Sequence, residues 1–390
     1  MNLQAIRVSL VFTGIMIPVF FVFLTCRGPV NRNNAQGNND TELIDVKYAR
    51  EFSIEDFGNY RLLNVFNPWQ NLNDRKLSYL LYKKGTSLPR DLHYDIAIQV
   101  PVKRVICMST THIAMIGALD ETASIAGISG KQYIYNSIVR SGIESGHIPD
   151  IGYEQSLNYE MIVTIKPEVI FMYGVTGDVT PIISRIESLG IPVVLNAEYL
   201  ENNPLARTEW IKFMACFYDK LEEGIDFFRH QEEKYLALKN SLVEISDKPI
   251  VMTGLPWKNT WWIPGGKSFA AKLISDAGGR YIWENDTTDE ALPLDIESVY
   301  DMAGHAEIWI NSGTASSLKD ILNTDPRLAL FKPYKDSNIY NNNARLNPYG
   351  GNDYWESGVI YPADILKDLI SIFHPGILPG HKLVYYRKLE

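Results

Sequence analysis

Asn158-Tyr159-Glu160-Met161-Ile162 runs through Ile165 and Pro167 into Glu168-Val169-Ile170-Phe171, and the same phrase returns far downstream. There Leu294-Asp295-Ile296-Glu297-Ser298-Val299 runs through Met302 and Ala306 into Glu307-Ile308-Trp309-Ile310. Each copy puts a lone glutamate in the first turn of a short amphipathic helix that feeds an apolar strand. Helical spacing followed by a short continuous apolar run predicts a helix–strand unit of an α/β sheet. Two widely separated copies imply two related lobes, each offering one acidic residue from an equivalent place. A chain built so points to gripping something between its lobes rather than to chemistry within one.

The pattern on either side agrees. Val105-Ile106-Cys107-Met108 reads as a first strand, with Ser109-Thr110-Thr111 capping the helix from His112 to Leu119. Ile125 to Ile128, Val169 to Tyr173 and Pro192 to Leu195 read as three more strands of a lobe spanning 103–205. Residues 206–247 connect the lobes through two helices, the first from Ala206 to Ala215. Within them Leu221 to Ile245 predicts a long helix with Ile225, Phe228, Tyr235, Leu238 and Leu242 on one side, stiff enough for a strut. Pro249-Ile250-Val251-Met252 restarts the α/β pattern in a second lobe, 248–390, where Gly278-Gly279 ends one helix and His374-Pro375-Gly376 the last. Ahead of both lobes, 46–102 reads as a small β-extension, with Phe52, Ile54, Tyr60, Leu62 and Val65 near period two.

At 390 residues the chain suits two domains, and 46% hydrophobic with 21% charged residues suits sizeable cores. A formal net charge of -9 argues against nucleic acid, since phosphate binding needs a basic face. The first 25 residues read as an export signal: Arg7 precedes a largely apolar run from Val8 to Leu24, interrupted by Pro18. Cys26 follows Phe23-Leu24-Thr25, which resembles the lipobox of bacterial lipoproteins, although that pattern usually has Leu at Phe23 and a small residue at Thr25. The resemblance implies a diacylated Cys26, and residues 26–45, rich in Asn and Gly before Asp40, would then be a lipidated tether. Cys107 and Cys216 are left in the body, either as a disulfide or as two buried free thiols.

Several motifs fail. The seven histidines are scattered, with no pair at the spacing of a metal site. Gly265-Gly266-Lys267-Ser268 resembles the end of a phosphate loop, but Trp261 stands where the loop needs its first glycine. No nucleophile elbow, His-Glu helix pair or dinucleotide fingerprint is present, and no catalytic residue is expected.

Ligands of a two-lobed α/β protein sit at loops beyond the carboxyl ends of the strands. Those loops hold Thr110-Thr111, Lys131 with Tyr133 and Tyr135, Tyr153-Glu154, and Tyr173. In the second lobe they hold Trp257, Trp261 and Trp262, then the stretch Asn347 to Glu356 with Asp353, Tyr354 and Trp355. Adjacent Trp261 and Trp262 do not both face a cleft, so one belongs to the core.

From about Lys103 to His374 the chain resembles the periplasmic ferric-siderophore and cobalamin binding proteins that serve ABC importers. The strand from Arg104, the two glutamate phrases and the long helix match in order and spacing. The resemblance implies two Rossmann-like lobes joined by one rigid helix and a ligand held between them, with no resident cofactor. It implies that Glu160 and Glu297 meet arginines of the permease, and that Glu154, Tyr173, the tryptophan loop and Asp353 to Trp355 approach the ligand. A cobalamin binder carries Trp where this chain has Glu154, which weakens a corrin there. The implied protein is a monomer, periplasmic and lipid-anchored to a bacterial membrane, carrying a ferric siderophore, haem or corrinoid. Rival readings are an exported two-lobed enzyme of glycosyltransferase type, which lacks its phosphate loop here, and a binder of bare metal, which lacks clustered ligands.

Overall fold

Each half of the chain builds a parallel sheet with the same strand order. The computed structural model describes residues 41–69, 75–153, 156–174 and 179–390. In the first lobe the strands lie in the order Ile125–Ile128, Val105–Cys107, Val169–Met172, Val193–Leu195, all parallel. In the second the order is Arg280–Tyr281, Ile250–Thr253, Ile308–Ile310, Ile339–Asn341, again parallel. Numbered along the chain, both sheets read 2-1-3-4. Arg387–Lys388 adds an antiparallel edge to the second sheet only. The central strands are buried along their length, which is why they are runs of Val, Ile and Phe rather than alternating patterns.

The repeated phrase occupies the same place in each lobe, as the helix feeding the third strand. Tyr159–Ile165 begins where the Asn158 side chain accepts from Met161 N at 2.9 Å. Ile296–Ala303 begins where Asp295 accepts from Ser298 N at 2.7 Å. Each cap satisfies a backbone donor that the first turn leaves open.

Two helices join the lobes. Leu221–Asn240 is 20 residues long, about 30 Å at ~1.5 Å per residue, and ends five residues before the expected Ile245. The preceding Pro204–Cys216 helix, expected from Ala206 to Ala215, is buried on every face, so the connection is embedded in the fold. It packs against the long helix, against Phe269–Asp276 and Pro362–Phe373 of the second lobe, and against Thr110–Ala118 of the first.

The expected β-extension is a five-stranded sheet, Glu42–Leu43, Phe52–Asp56, Tyr60–Phe66, Lys76–Lys83 and Ile96–Val100 in that order. It docks on the connecting helix, where the Phe52 ring lies 4.8 Å from Trp210 and 5.8 Å from Phe213. Glu209 accepts from the backbone N–H groups of Lys47, Tyr48 and Ala49, and Glu201 from those of Arg50 and Glu51. Glu209 clips the incoming chain to the helix and Glu201 to the turn before it. Because Glu42–Leu43 pairs with Glu55 and Asp56, regular structure begins inside the expected tether. The export signal, Cys26 and the tether up to residue 40 lie outside the described residues.

Cys107 and Cys216 are both buried and free, and burial pushes both thiols up, Cys216 to about 12. They behave as small apolar core residues. Among the described residues no helix is long and apolar enough to cross a membrane.

Candidate functional site

The carboxyl ends of both sheets open onto one cavity of about 700 Å³, inside the ~300–1,000 Å³ range of small-molecule sites. From the first lobe, Met108, Ser109 and Thr110 follow the Val105–Cys107 strand, Ser129 and Tyr133 follow Ile125–Ile128, and Tyr173 follows Val169–Met172. Tyr153 completes that wall, with its hydroxyl 3.1 Å from that of Tyr173. From the second lobe, Asn311, Gly313 and Thr314 follow Ile308–Ile310, and Asn342 and Asn343 follow Ile339–Asn341. Gly313 turns the first of these loops with φ +59, in the region that favours glycine. Leu346, Gly350, Asn352 and Trp355 form the rim on the same side.

Of the residues expected at the ligand, Tyr133, Tyr173 and Trp355 line this cavity. Tyr133 and Trp355 are half exposed, at 50% and 51%, so their rings are available for stacking. The other described ones stand elsewhere, and of the adjacent Trp261 and Trp262 one is in the core, as expected. Trp261 is core: it is fully buried against Trp309 and Phe331, and its Nε1 donates to Thr253 O at 3.1 Å. Trp257 and Trp262 are exposed on the antiparallel hairpin Pro256–Trp257 and Thr260–Pro264, outside the cavity lining. The strand alternation that buries Trp261 turns Trp262 to the other face. Lys131 is exposed and also outside the lining. Glu154 lies outside the described residues.

The polar, Gly-rich stretch from Asn347 to Glu356 acts mainly as a bridge between lobes. Asn347 Nδ2 donates to Gln132 O at 2.9 Å and Ile134 O at 2.7 Å. Glu356 accepts from Tyr135 N and Asn136 N, both at 2.7 Å. Thr110 Oγ1 donates to Trp355 O at 3.1 Å. Gly351 is required by the close approach, since a Cβ there would stand 2.5 Å from Tyr133 O. Tyr354 is buried, with Trp355, Tyr385 and Tyr386 around it, and burial pushes its hydroxyl up to about 12. Asp353 is buried and pairs with Arg345 Nε at 2.7 Å. Tyr354 and Asp353 therefore hold Trp355 in place and do not line the cavity themselves. Burial raises the Glu356 carboxyl to about 7, against the opposing pull of the Tyr135 and Asn136 N–H groups.

Sequence reasoning passed over Asn311, Thr314, Asn342 and Asn343. For the three asparagines the signal was Asn within two residues after an apolar strand, the position from which such sheets present side chains to a ligand.

Both repeated glutamates are exposed on the outer surface, yet they differ. No described residue pairs with the Glu160 carboxylate. Glu297 forms an ion pair with Arg327, which Asp325 also holds, at 2.7 Å. Beside Glu297, Tyr300, Leu330 and Phe331 form a small apolar groove. Among the described residues no group of three or more His, Cys, Asp or Glu is placed to hold a metal ion. His112, on the Thr110–Ala118 helix, is fully buried, and burial holds it neutral with a pKa lowered to about 3.

The sequence profile described as periplasmic binding protein matches residues 105–346. An uncharacterized lipoprotein of Methanocaldococcus jannaschii is 30% identical over 94% of this chain and 88% of its own length. A second uncharacterized lipoprotein of that organism is 25% identical over 75% of each chain. Among solved structures, a periplasmic haem-binding protein from Roseiflexus superposes with a TM-score of 0.54 at 19% identity, covering 71% of this chain and all of that one. A periplasmic vitamin B12 binding protein of Vibrio cholerae superposes with a TM-score of 0.50 at 13% identity, covering 70% and 96%. These structural likenesses speak for the fold, and the profile and the lipoprotein for kinship. The chain belongs to the periplasmic binding protein family.

Proposed function

We propose that this protein is the lipid-anchored solute-binding component of an ABC importer. It captures an iron chelate, haem or corrinoid between its lobes and delivers it to the permease. The observation that carries the reading is the cleft itself, in which three tyrosines and Trp355 meet polar loops at the carboxyl ends of two matching sheets. Several rings around a gap of this size suit a large chelate better than a bare ion. The lipoprotein relative supports an anchor at Cys26 on the outer face of a membrane. Glu160 and Glu297 would be the docking contacts, one per lobe, giving orientation and on-rate more than affinity.

The test is optical. Mixing the purified full chain with haem, cobalamin or ferric siderophores should quench its tryptophan fluorescence and shift the visible spectrum of the bound chelate. Failure with every chelate and tetrapyrrole offered rejects the reading.

A further inference from the structure

The cleft has a charge pattern as well as a shape. Among the described residues that line it there is no Lys, Arg, His, Asp or Glu. The internal segments outside the described residues are 70–74, 154–155 and 175–178, and they contain no basic residue. Their charges are those of Asp74, Glu154 and Asp178, all acidic. Beyond residue 40, then, a contribution from these segments would make the cleft more negative and never positive.

Two arginines stand close to the second-lobe wall, and both are held by other groups. Arg345 pairs with Asp353, with its guanidinium beside the Tyr135 and Tyr385 rings. Arg387 donates from Nε to Asn343 Oδ1 and from Nη2 to Ser316 O, each at 2.9 Å. Neither lines the cavity.

What the wall does offer is neutral hydrogen bonding. The Asn342 amide and the Thr314 hydroxyl make no hydrogen bond to any described residue. Asn311 accepts from the Tyr386 hydroxyl through Oδ1 and leaves Nδ2 unused. An amide donates and accepts at once, so it complements another amide or a carbonyl. A carboxylate brought to the same wall would lose water without gaining a cation, which is strongly unfavourable.

We propose that the cleft selects ligands whose enclosed periphery is uncharged and rich in amide, carbonyl or hydroxyl groups, and rejects those that place negative charge there. The proposal rests on the chelate-binding reading and narrows it to neutral ferric complexes and amide-fringed corrinoids. Carboxylate-bearing tetrapyrroles and anionic catecholate complexes fall outside it.

Matched pairs test it by fluorescence titration of the full chain. One pair is cyanocobalamin and its derivative with a side-chain amide hydrolysed to a carboxylate. The other is a neutral ferric trihydroxamate and an anionic ferric tris-catecholate. In the pair that binds, the neutral member is expected to bind at least about tenfold more tightly, the cost of leaving a buried charged group unpaired. Its affinity should not change between low and high salt. An Asn342→Lys variant should restore the anionic member by about tenfold. An anionic member that binds as tightly as its neutral partner, or an Asn342→Lys variant that changes nothing, overturns the inference while leaving the chelate-binding reading intact. Binding of haem but of none of the four overturns the inference alone, and binding of none of the four nor of haem overturns both.

Discussion

The two lobes share a strand order and a helix–strand phrase, yet they present different chemistry at equivalent places. Beyond the strand ends, the first lobe sets Tyr133, Tyr153 and Tyr173, while the second sets Asn311, Thr314, Asn342 and Asn343. The first wall is aromatic, while the second is mainly hydrogen-bonding and carries Trp355 at its rim. On the outer surface the repeated glutamates diverge as well, Glu160 without a described partner and Glu297 held by Arg327. The apolar pattern that both copies share builds the sheets. The loops and exposed turns face little packing constraint and are free to differ.

The largest effect should come from the pair of glutamates taken together. Glu160→Lys with Glu297→Lys is expected to abolish uptake into reconstituted vesicles while ligand affinity, read by fluorescence, stays within about twofold, because exposed charges orient the docked complex and lie outside the cleft. Persistent uptake would reduce both residues to helix-terminal charges. Single reversals sharpen the comparison: Glu160→Lys should cost more than Glu297→Lys, since Glu297 already has an internal partner to give up.

Truncating the ring at the second-lobe rim comes next. Trp355→Ala should weaken ligand binding by about 10- to 100-fold, the range for a buried aromatic anchor. Trp257→Ala and Trp262→Ala, made outside the cleft, should stay within about twofold in the same titration. Equal losses at all three would return the tryptophan hairpin to the ligand.

The bridge between lobes predicts a pH dependence. Glu356 has a folded pKa raised to about 7 from 4.5, so the folded state holds its proton longer than the unfolded state. Its stabilisation is complete below about pH 4.5 and is lost as pH rises through about 7, a change of up to roughly 3 kcal/mol. Glu356→Gln should flatten that part of the profile in thermal melts between pH 5 and 8, at the cost of about 1 kcal/mol for one N–H left without an acceptor. Parallel profiles for the two proteins would show that the carboxyl titrates normally.

The smallest expected effect is at Arg327. Arg327→Ala frees Glu297 and should tighten docking to the permease by about two- to fivefold, in line with the ~0.2–1 kcal/mol of an exposed ion pair. Weaker docking would instead make Arg327 part of the contact.

Much of the architecture was legible along the chain because burial leaves a periodic mark. The strands at Val105, Val169 and Ile308, the helix cap at Ser109 and the helices that open at Glu160 and Glu297 sit where the residue pattern puts them. The candidate site was legible only in part. Tyr133, Tyr173 and Trp355 were found by asking which residues follow a strand. Which of Trp261 and Trp262 is core was not legible, because an aromatic residue in a loop-like stretch gives the same signal whether it packs inward or faces a cleft; the pairing of Thr260–Pro264 with Ala291–Leu294 put Trp261 there. Asp353 and Tyr354 misled for a related reason, since polar and aromatic residues serve a bridge between lobes as well as they serve a ligand.

The sequence by itself determined that there are two lobes and that one acidic residue stands on an equivalent helix of each. It did so because hydrophobic periodicity and capping are local properties. Only the tertiary structure decided which side chains share the cleft, that Glu356 and Asn347 tie one lobe to the other, and that Glu297 is paired while Glu160 has no described partner. Those facts join residues as far apart as Tyr135 and Glu356, and such contacts depend on how the elements pack rather than on any local pattern of residues.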